Sequence, residues 1–306
     1  VKVNKWLKSV VLLLLPLVFL SACQAKPQQA KGLKIVTSFY PIYAMVKEVS
    51  GDINDVRMIQ SGSGIHSFEP SVSDVKAIHD ADVFVYHSHT LESWAGDLDA
   101  NLKKSKVKVI EASKGMDLDR VRGLEDVEVT QGVDEATLYD PHTWNDPVKV
   151  AEEAQLIAKA LSKVDQKNAD SYQKNADKLS KEANTLVEKY KPKFKKVPSK
   201  YFVTQHTAFS YLAKRFGLQQ LGIAGISPDQ EPTSRQLAEI QKFVKQYKVK
   251  TIFIEKNTSS KIAETVAKST GAKVKTLSPL EADPNNNLSY LENVEENLKI
   301  LLKSLK

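Results

Sequence analysis

The sequence predicts an α/β protein of two lobes, each a parallel β-sheet flanked by helices, joined by one long rigid α-helix. Three observations carry this reading. Apolar runs of about five residues alternate with helix signals in the first half, the alternation returns in the second half, and a long charged stretch with helical periodicity lies between them. Short apolar strands separated by helices imply parallel pairing with both sheet faces covered, because parallel neighbours need a crossover and that crossover is a helix. About 275 of the 306 residues remain after an N-terminal leader and tether, more than a single core usually organises.

Residues 1–22 read as a secretory signal peptide. Lys2, Lys5 and Lys8 surround Trp6 and precede an 11-residue apolar run, 10–20, that contains Pro16. A bilayer span needs about 20 apolar residues, so this run targets the chain and is then removed. It ends at Leu20-Ser21-Ala22-Cys23, which resembles the lipobox of bacterial lipoproteins and marks Cys23 for acylation. Cys23 is the only cysteine, so acylation leaves no thiol for a disulfide and confines metal ligands to nitrogen and oxygen. Residues 23–32 are polar and aperiodic, as a flexible tether would be.

The first lobe is expected over 33–163. Strands are predicted at 33–37, 55–59, 82–86 and 107–110, with helices at 40–49 (closed by Gly51), 71–80 (capped by Ser71) and 91–104. Asp146-Pro147 is a cap followed by proline in the first helical turn, and it starts a helix through Ser162. A second helix is predicted from Asp165 to just before Pro192. Its apolar stripe is Tyr172, Ala176, Leu179, Ala183, Leu186, Val187 and Tyr190. The linker helix is set at 164–193 and the second lobe at 194–306. There, strands are predicted at 200–204, 222–225, 251–254 and 273–277, with helices at 209–216, 234–247, 260–270 and 288–305.

Charge narrows the function classes. The formal net charge of +7 becomes +4 once Lys2, Lys5 and Lys8 leave with the leader, and the remaining charges are intermixed. Arginine is scarce, and no basic face with aromatic readers is apparent, so nucleic acid is excluded as a partner.

Three of the six histidines lie in loop contexts far apart. His66 sits in Gly64-Ile65-His66-Ser67-Phe68-Glu69-Pro70, His142 in Asp140-Pro141-His142-Thr143-Trp144, and His206 in Thr204-Gln205-His206-Thr207. Ligands of parallel α/β sheets bind beyond the carboxyl ends of strands, so all three can face one point. Three neutral imidazoles leave a tetrahedral ion one ligand short. Glu281, in Ser278-Pro279-Leu280-Glu281-Ala282-Asp283, is the expected fourth, with Asp283 as its competitor. Two ligands would then come from each lobe, with the ion in the cleft. His79 reads as an ordinary helix residue. His87 and His89, two apart at a strand end, could line the cleft or form a second site. The stretch 115–140, with eight carboxylates and no histidine, reads as a solvated loop.

His66 with Glu69-Pro70, the run from Asp140 through His142 and Trp144 to Pro147, His206-Thr207-Ala208-Phe209, and Ile252-Phe253-Ile254-Glu255 with Asn257-Thr258 together resemble the metal-binding lipoproteins of zinc and manganese ABC importers. The likeness is strongest to the streptococcal zinc-binding lipoproteins also described as laminin-binding. This resemblance implies two lobes joined by a helix, a buried ion, delivery to a membrane permease, an extracellular lipid-anchored location, a monomeric carrier and, as a further reading, laminin binding. A histidine at the His206 position implies zinc rather than manganese, and three nitrogens with one carboxylate suit the softer ion. Many zinc members carry a histidine-rich loop where this chain has its acidic stretch, which removes a loop-assisted capture step. The rival class is a zinc hydrolase. Four protein ligands would close the coordination sphere against it, and no His-Glu-x-x-His helix is present. Imidazole ligands predict binding that weakens as pH falls through about 6.5.

Overall fold

Strand β1 (Lys34–Thr37) is buried over its last three residues, as a strand covered on both faces must be. In the computed structural model, which describes residues 32–59, 64–121, 138–256 and 258–306, it is followed by α1 (Tyr40–Ser50), β2 (Asp55–Met58), α2 (Val72–His79), β3 (Val83–Tyr86), α3 (Ser93–Leu102) and β4 (Lys108–Glu111). The leader, Cys23, most of the tether, most of the acidic stretch and Asn257 lie outside the described residues. These four strands are parallel and lie in the order β2-β1-β3-β4. Helix α4 (Pro147–Val164) and helix α5 (Ala169–Lys195) follow. Then β5 (Tyr201–Thr204), α6 (Ser210–Phe216), β6 (Gln219–Gly222), α7 (Ser234–Gln246), β7 (Thr251–Ile254), α8 (Lys261–Thr270) and β8 (Lys273–Thr276) build a second parallel sheet, ordered β6-β5-β7-β8, before α9 (Tyr290–Ser304). In each sheet the chain steps one way from its first strand and then the other, which opens a crevice at the carboxyl edge.

Helix α5 has 27 residues and therefore runs about 40 Å. Its start is tied to the first lobe: Asn54 donates to the Tyr172 hydroxyl at 2.9 Å and Asn175 to the Val49 carbonyl at 2.9 Å. Its end is tied to the second: the Tyr190 hydroxyl donates to Glu295 on α9 at 2.9 Å, and Phe194 packs on Phe216. Helix α4 lies against it, with Gln155 donating to Asp177 and Ser180. One apolar core runs through both sheets' inner faces, α4, α5 and α9, and a smaller core covers the outer face of each sheet. Leu33–Lys306 packs as one compact unit. Among the described residues no helix is long and apolar enough to cross a membrane.

Two predictions shift. Helix α5 continues through Pro192 to Lys195 instead of stopping before the proline. Proline costs a helix one hydrogen bond and a clash with the turn before it, but here it falls near the end, and the following turn buries Phe194 completely. Strand β6 covers Gln219–Gly222, upstream of the predicted 222–225. The polar pair Gln219-Gln220 hid it, and Gln220 is buried because its side chain is hydrogen-bonded inside the fold.

Candidate metal centre

Each of the four sequence-predicted ligands is set by local structure at the carboxyl edge of a sheet. Gly64, at φ +92°, takes the left-handed backbone that glycine adopts without strain, and the single turn Ile65–Ser67 follows. Ile65 is fully buried as a plug, which turns His66 inward. His206 follows β5. Its carbonyl accepts from the Thr204 hydroxyl at 2.6 Å and from Gln220 at 3.0 Å, so the loop is pinned before the side chain is considered. Gly222 permits this pinning, since a Cβ there would lie 2.2 Å from the Thr207 hydroxyl.

His142 precedes the turn Thr143–Asn145, and Asp146 then caps α4 by accepting from Val148. The segment is bonded mostly to the second lobe. Trp144 donates to the Pro279 carbonyl at 2.9 Å, Asn145 to the Ala208 carbonyl at 2.9 Å, Tyr290 to the Trp144 carbonyl at 3.0 Å and Tyr211 to the Asp140 carbonyl at 2.8 Å. Arg215 clamps Asp146 with both Nε and Nη2. The sequence reading placed His142 with the first lobe; these bonds fix it to the second as well, leaving His66 as the one member held by the first lobe alone. Glu281 follows β8, and the residue before it, Leu280, is buried with φ +57°. A leucine held in the left-handed region stores about 1–2 kcal/mol. The Trp144–Pro279 bond and the burial of Leu280 hold that strain, which turns Glu281 into the cleft.

The donor atoms of His66, His142, His206 and Glu281 all lie within 4.8 Å of one another. Between Nε2 atoms, His142 to His66 is 3.4 Å; from Glu281 Oε1, His206 is at 3.2 Å, His66 at 3.4 Å and His142 at 3.6 Å. Zinc–nitrogen bonds of about 2.0–2.1 Å give a tetrahedron whose edges are about 3.3–3.4 Å. Four of the six spacings among these atoms therefore match the corners around one small cation. The rear nitrogens show what the front ones present. His142 Nδ1 donates to Asp140 at 2.7 Å and His206 Nδ1 to Glu255 at 2.5 Å, both carboxylates being buried. With Nδ1 protonated, the neutral imidazoles turn lone pairs toward one another and toward a carboxylate, which only a cation or a proton can reconcile.

The ionisation pattern follows. Burial opposes a charge on His206, but Glu255 and Glu281 outweigh it and push its pKa up to about 10. Burial likewise opposes a charge on His142, and Asp140 reverses the balance upward. Burial would raise Glu281, yet hydrogen bonds from His142, His206 and His66 hold it well below the usual carboxylate range. For His66, burial lowers the pKa despite the nearby Glu281.

Other candidates fall elsewhere. Asp283 accepts from the Asn285 amide at 2.8 Å within its own turn. His87 and His89 do not share a face, because the strand has ended at Tyr86. His87 is fully buried, with Nδ1 on Glu153 at 2.6 Å and Nε2 on the Pro141 carbonyl at 2.8 Å, so it braces the His142 loop. His89 lies outside against the Tyr86 ring. His79 is exposed on α2. Sequence reasoning gave no role to Asp140, Glu255, Gln220 or the His87–Glu153 pair. Asp140 and Glu255 stood within the quoted motifs, and for Asp140 its place two residues before His142 was the available signal; Glu255, Gln220 and Glu153 had no such neighbour.

The family described as zinc-uptake complex component A, periplasmic (ZnuA), matches residues 35–304. The high-affinity zinc uptake system protein ZnuA of Bacillus subtilis is 38% identical over 281 residues, 89% of this chain and 88% of that protein. The zinc-binding lipoprotein AdcA of Streptococcus pneumoniae is 37% identical over 305 residues, 96% of this chain but 60% of AdcA, so the chain spans little more than half of that longer relative. Among solved structures, a Zn(II)-bound variant of AdcAII from Streptococcus pneumoniae is 71% identical with a TM-score of 0.85, covering 90% of this chain and 99% of that one. The laminin binding protein Lmb of Streptococcus agalactiae, described as bifunctional with adhesin and metal transporting activity, is 66% identical with a TM-score of 0.83, covering 90% of this chain and 100% of that one.

Proposed function

The chain belongs to the zinc-uptake complex component A family, and from that premise we propose that it captures one zinc ion through His66, His142, His206 and Glu281 and delivers it to an ABC permease. The observation that carries the ligand assignment is the convergence of four donor atoms whose two most buried imidazoles are protonated on the far side. Three nitrogens and one oxygen at tetrahedral spacing suit zinc better than manganese, which prefers more oxygen ligands. Four protein donors leave no coordination position for a reactive water, so the site is a carrier's and the chain is not a hydrolase. Zinc is cargo here, and the lobes at 33–163 and 194–306, with the linker helix at 164–193 between them, are the parts that grip it. Acylation of Cys23 would hold this carrier on the outer face of the cell membrane beside its permease, as a monomer.

Titration of the metal-free protein with zinc tests this reading. One ion per chain is expected, with that binding abolished in the His142→Ala/His206→Ala double variant; retained stoichiometric binding in the double variant would refute the assignment. Laminin binding is a second reading, favoured by the similarity to Lmb over 90% of this chain. It is tested by binding of the purified protein to immobilised laminin.

A further inference from the structure

The edge of the second sheet opposite the metal centre carries a different chemistry. Two concavities of about 400 and 580 Å³ lie at the amino ends of β5, β7 and β8, and they share Lys248, Val249, Lys250, Thr251 and Ser304, so they form one trough. Among the described residues, eight lysines line it and no aspartate or glutamate does. Like charges placed side by side without counter-charges raise the local potential and attract a polyanion. Lysines often sit at helix carboxyl ends to offset the helix dipole, and that accounts for Lys245 and Lys303, in the last turns of α7 and α9, and for Lys200, whose ammonium donates to the Phe194 and Lys195 carbonyls at the end of α5. Lys248, Lys250 and Lys273 precede or open strands instead.

Three details indicate a built surface. Lys250 donates to the Lys306 carbonyl and Lys275 to the Ser304 hydroxyl, both at 3.0 Å, which fixes two of the ammonium groups in place. Lys248, shared by both concavities, has φ +50° just past the end of α7. The corresponding residues after α6 and α8 are Gly217 at φ +67° and Gly271 at φ +76°, which take this backbone without strain. A lysine therefore occupies a glycine's position at the centre of the trough. Finally, Tyr201 and Tyr247 stack with ring centroids 3.9 Å apart and line the smaller concavity.

We propose that this trough binds an acidic polysaccharide, its sulfate or carboxylate groups on the lysines and a sugar ring against the tyrosines. The aromatic wall favours a sugar chain over a lipid headgroup, because a ring face offers apolar contact that sugar C–H groups fill, with a phenol beside it for a hydroxyl. Position argues the same way, on the anchoring proposed above. Both sheets turn their carboxyl edges to the metal centre, so Leu33, entering β1 at the amino edge of the first sheet, and the trough point apart. A membrane holding Cys23 faces the other end of the molecule. Because the trough and the metal centre occupy opposite edges of one sheet, zinc and polysaccharide bind independently.

Heparin oligosaccharide is the probe. The triple variant Lys248→Gln/Lys273→Gln/Lys303→Gln should lose on the order of tenfold or more in heparin affinity and show a shallower dependence of log K on log salt. A control triple of equal charge on the exposed face of α5 and the turn before it, Lys167→Gln/Lys174→Gln/Lys181→Gln, should keep wild-type affinity. Tyr247→Leu should weaken heparin binding without altering the salt dependence. Zinc affinity should be unchanged in all variants, and thermal stability in both triple variants. Equal losses in both triple variants would reduce the effect to net charge and overturn the proposal. So would wild-type heparin affinity in the trough variant, or a trough variant that loses binding only to vesicles containing anionic phospholipid.

Discussion

The two sides of the metal centre are built on different terms. On one side, His142 and His206 are fully buried, each backed by a buried carboxylate at 2.7 and 2.5 Å, and their loops are pinned by Trp144, Asn145, Tyr211, Thr204 and Gln220. On the other, His66 comes from a single turn of the first lobe and keeps 6% of its side chain exposed. The difference teaches how a carrier can be both specific and releasing. On the ligand set proposed above, a preformed half would select the ion by holding its donor atoms in position, with the binding cost confined to displacing their protons, and a less constrained ligand would complete the shell and be the first to leave.

The largest expected effect that sharpens this comparison is the difference between two ligand deletions. His206→Ala removes a donor and also strands Glu255, a buried carboxylate left without its hydrogen bond. Its loss in zinc affinity should exceed the roughly 10–100-fold typical of an outer-sphere partner. His66→Ala leaves the preformed half intact and should lose less affinity, with most of the loss in a faster off-rate measured by chelator competition. Equal losses with equal off-rates would erase the distinction between the two sides. Next in size, Glu255→Gln keeps an acceptor for His206 Nδ1 but removes the charge behind it. Zinc affinity should fall about 10–100-fold, while Asp283→Asn, altering a carboxylate that faces its own turn, should match wild type.

The smallest effects concern pH. The folded-state pKa values of His142 and His206 are raised, so each contributes stability to the metal-free protein that is fully present below about 6.5 and lost as pH rises through the folded value, about 10 for His206. Glu281 is lowered, so its contribution is present above about 4.5 and lost as pH falls through the folded value. Metal-free protein should therefore lose thermal stability between pH 6.5 and 10, whereas zinc-loaded protein should lose less, because the ion replaces the protons. The same shifts correct the onset expected from an unperturbed imidazole. Proton competition at His142 and His206 begins above 6.5, and zinc binding at neutral pH should release protons, read by calorimetry in buffers of different ionisation enthalpy. Zinc binding without proton release would contradict the raised values.

Much of this architecture was legible because its determinants are local. Apolar runs such as Val83-Phe84-Val85-Tyr86 can only be buried strands beside helices, and Asp146-Pro147 and Ser71 mark helix starts by side-chain chemistry that does not depend on the fold. His66, His142 and His206 stood out because loops at strand ends are where ligands gather. What stayed hidden depends on distant partners. Gln219 and Gln220 lack the apolar pattern of a buried strand, and Gln220 is buried because its amide donates to Thr204 and the His206 carbonyl. Helix α5 outran Pro192 because Phe194 had a core to enter. Glu281 and Asp283 are two residues apart in one loop, and the left-handed Leu280 together with the Trp144–Pro279 bond decides which one faces the cleft.

The central claim is that one zinc ion sits among three imidazoles and one carboxylate. X-ray absorption at the zinc edge of the loaded protein, combined with an anomalous-scattering map, reads this directly. The account predicts a four-coordinate ion with three nitrogens and one oxygen at about 2.0–2.1 Å, the anomalous peak lying between His66, His142, His206 and Glu281. A first shell containing water in place of His66 or Glu281, or a peak away from these four residues, would contradict it.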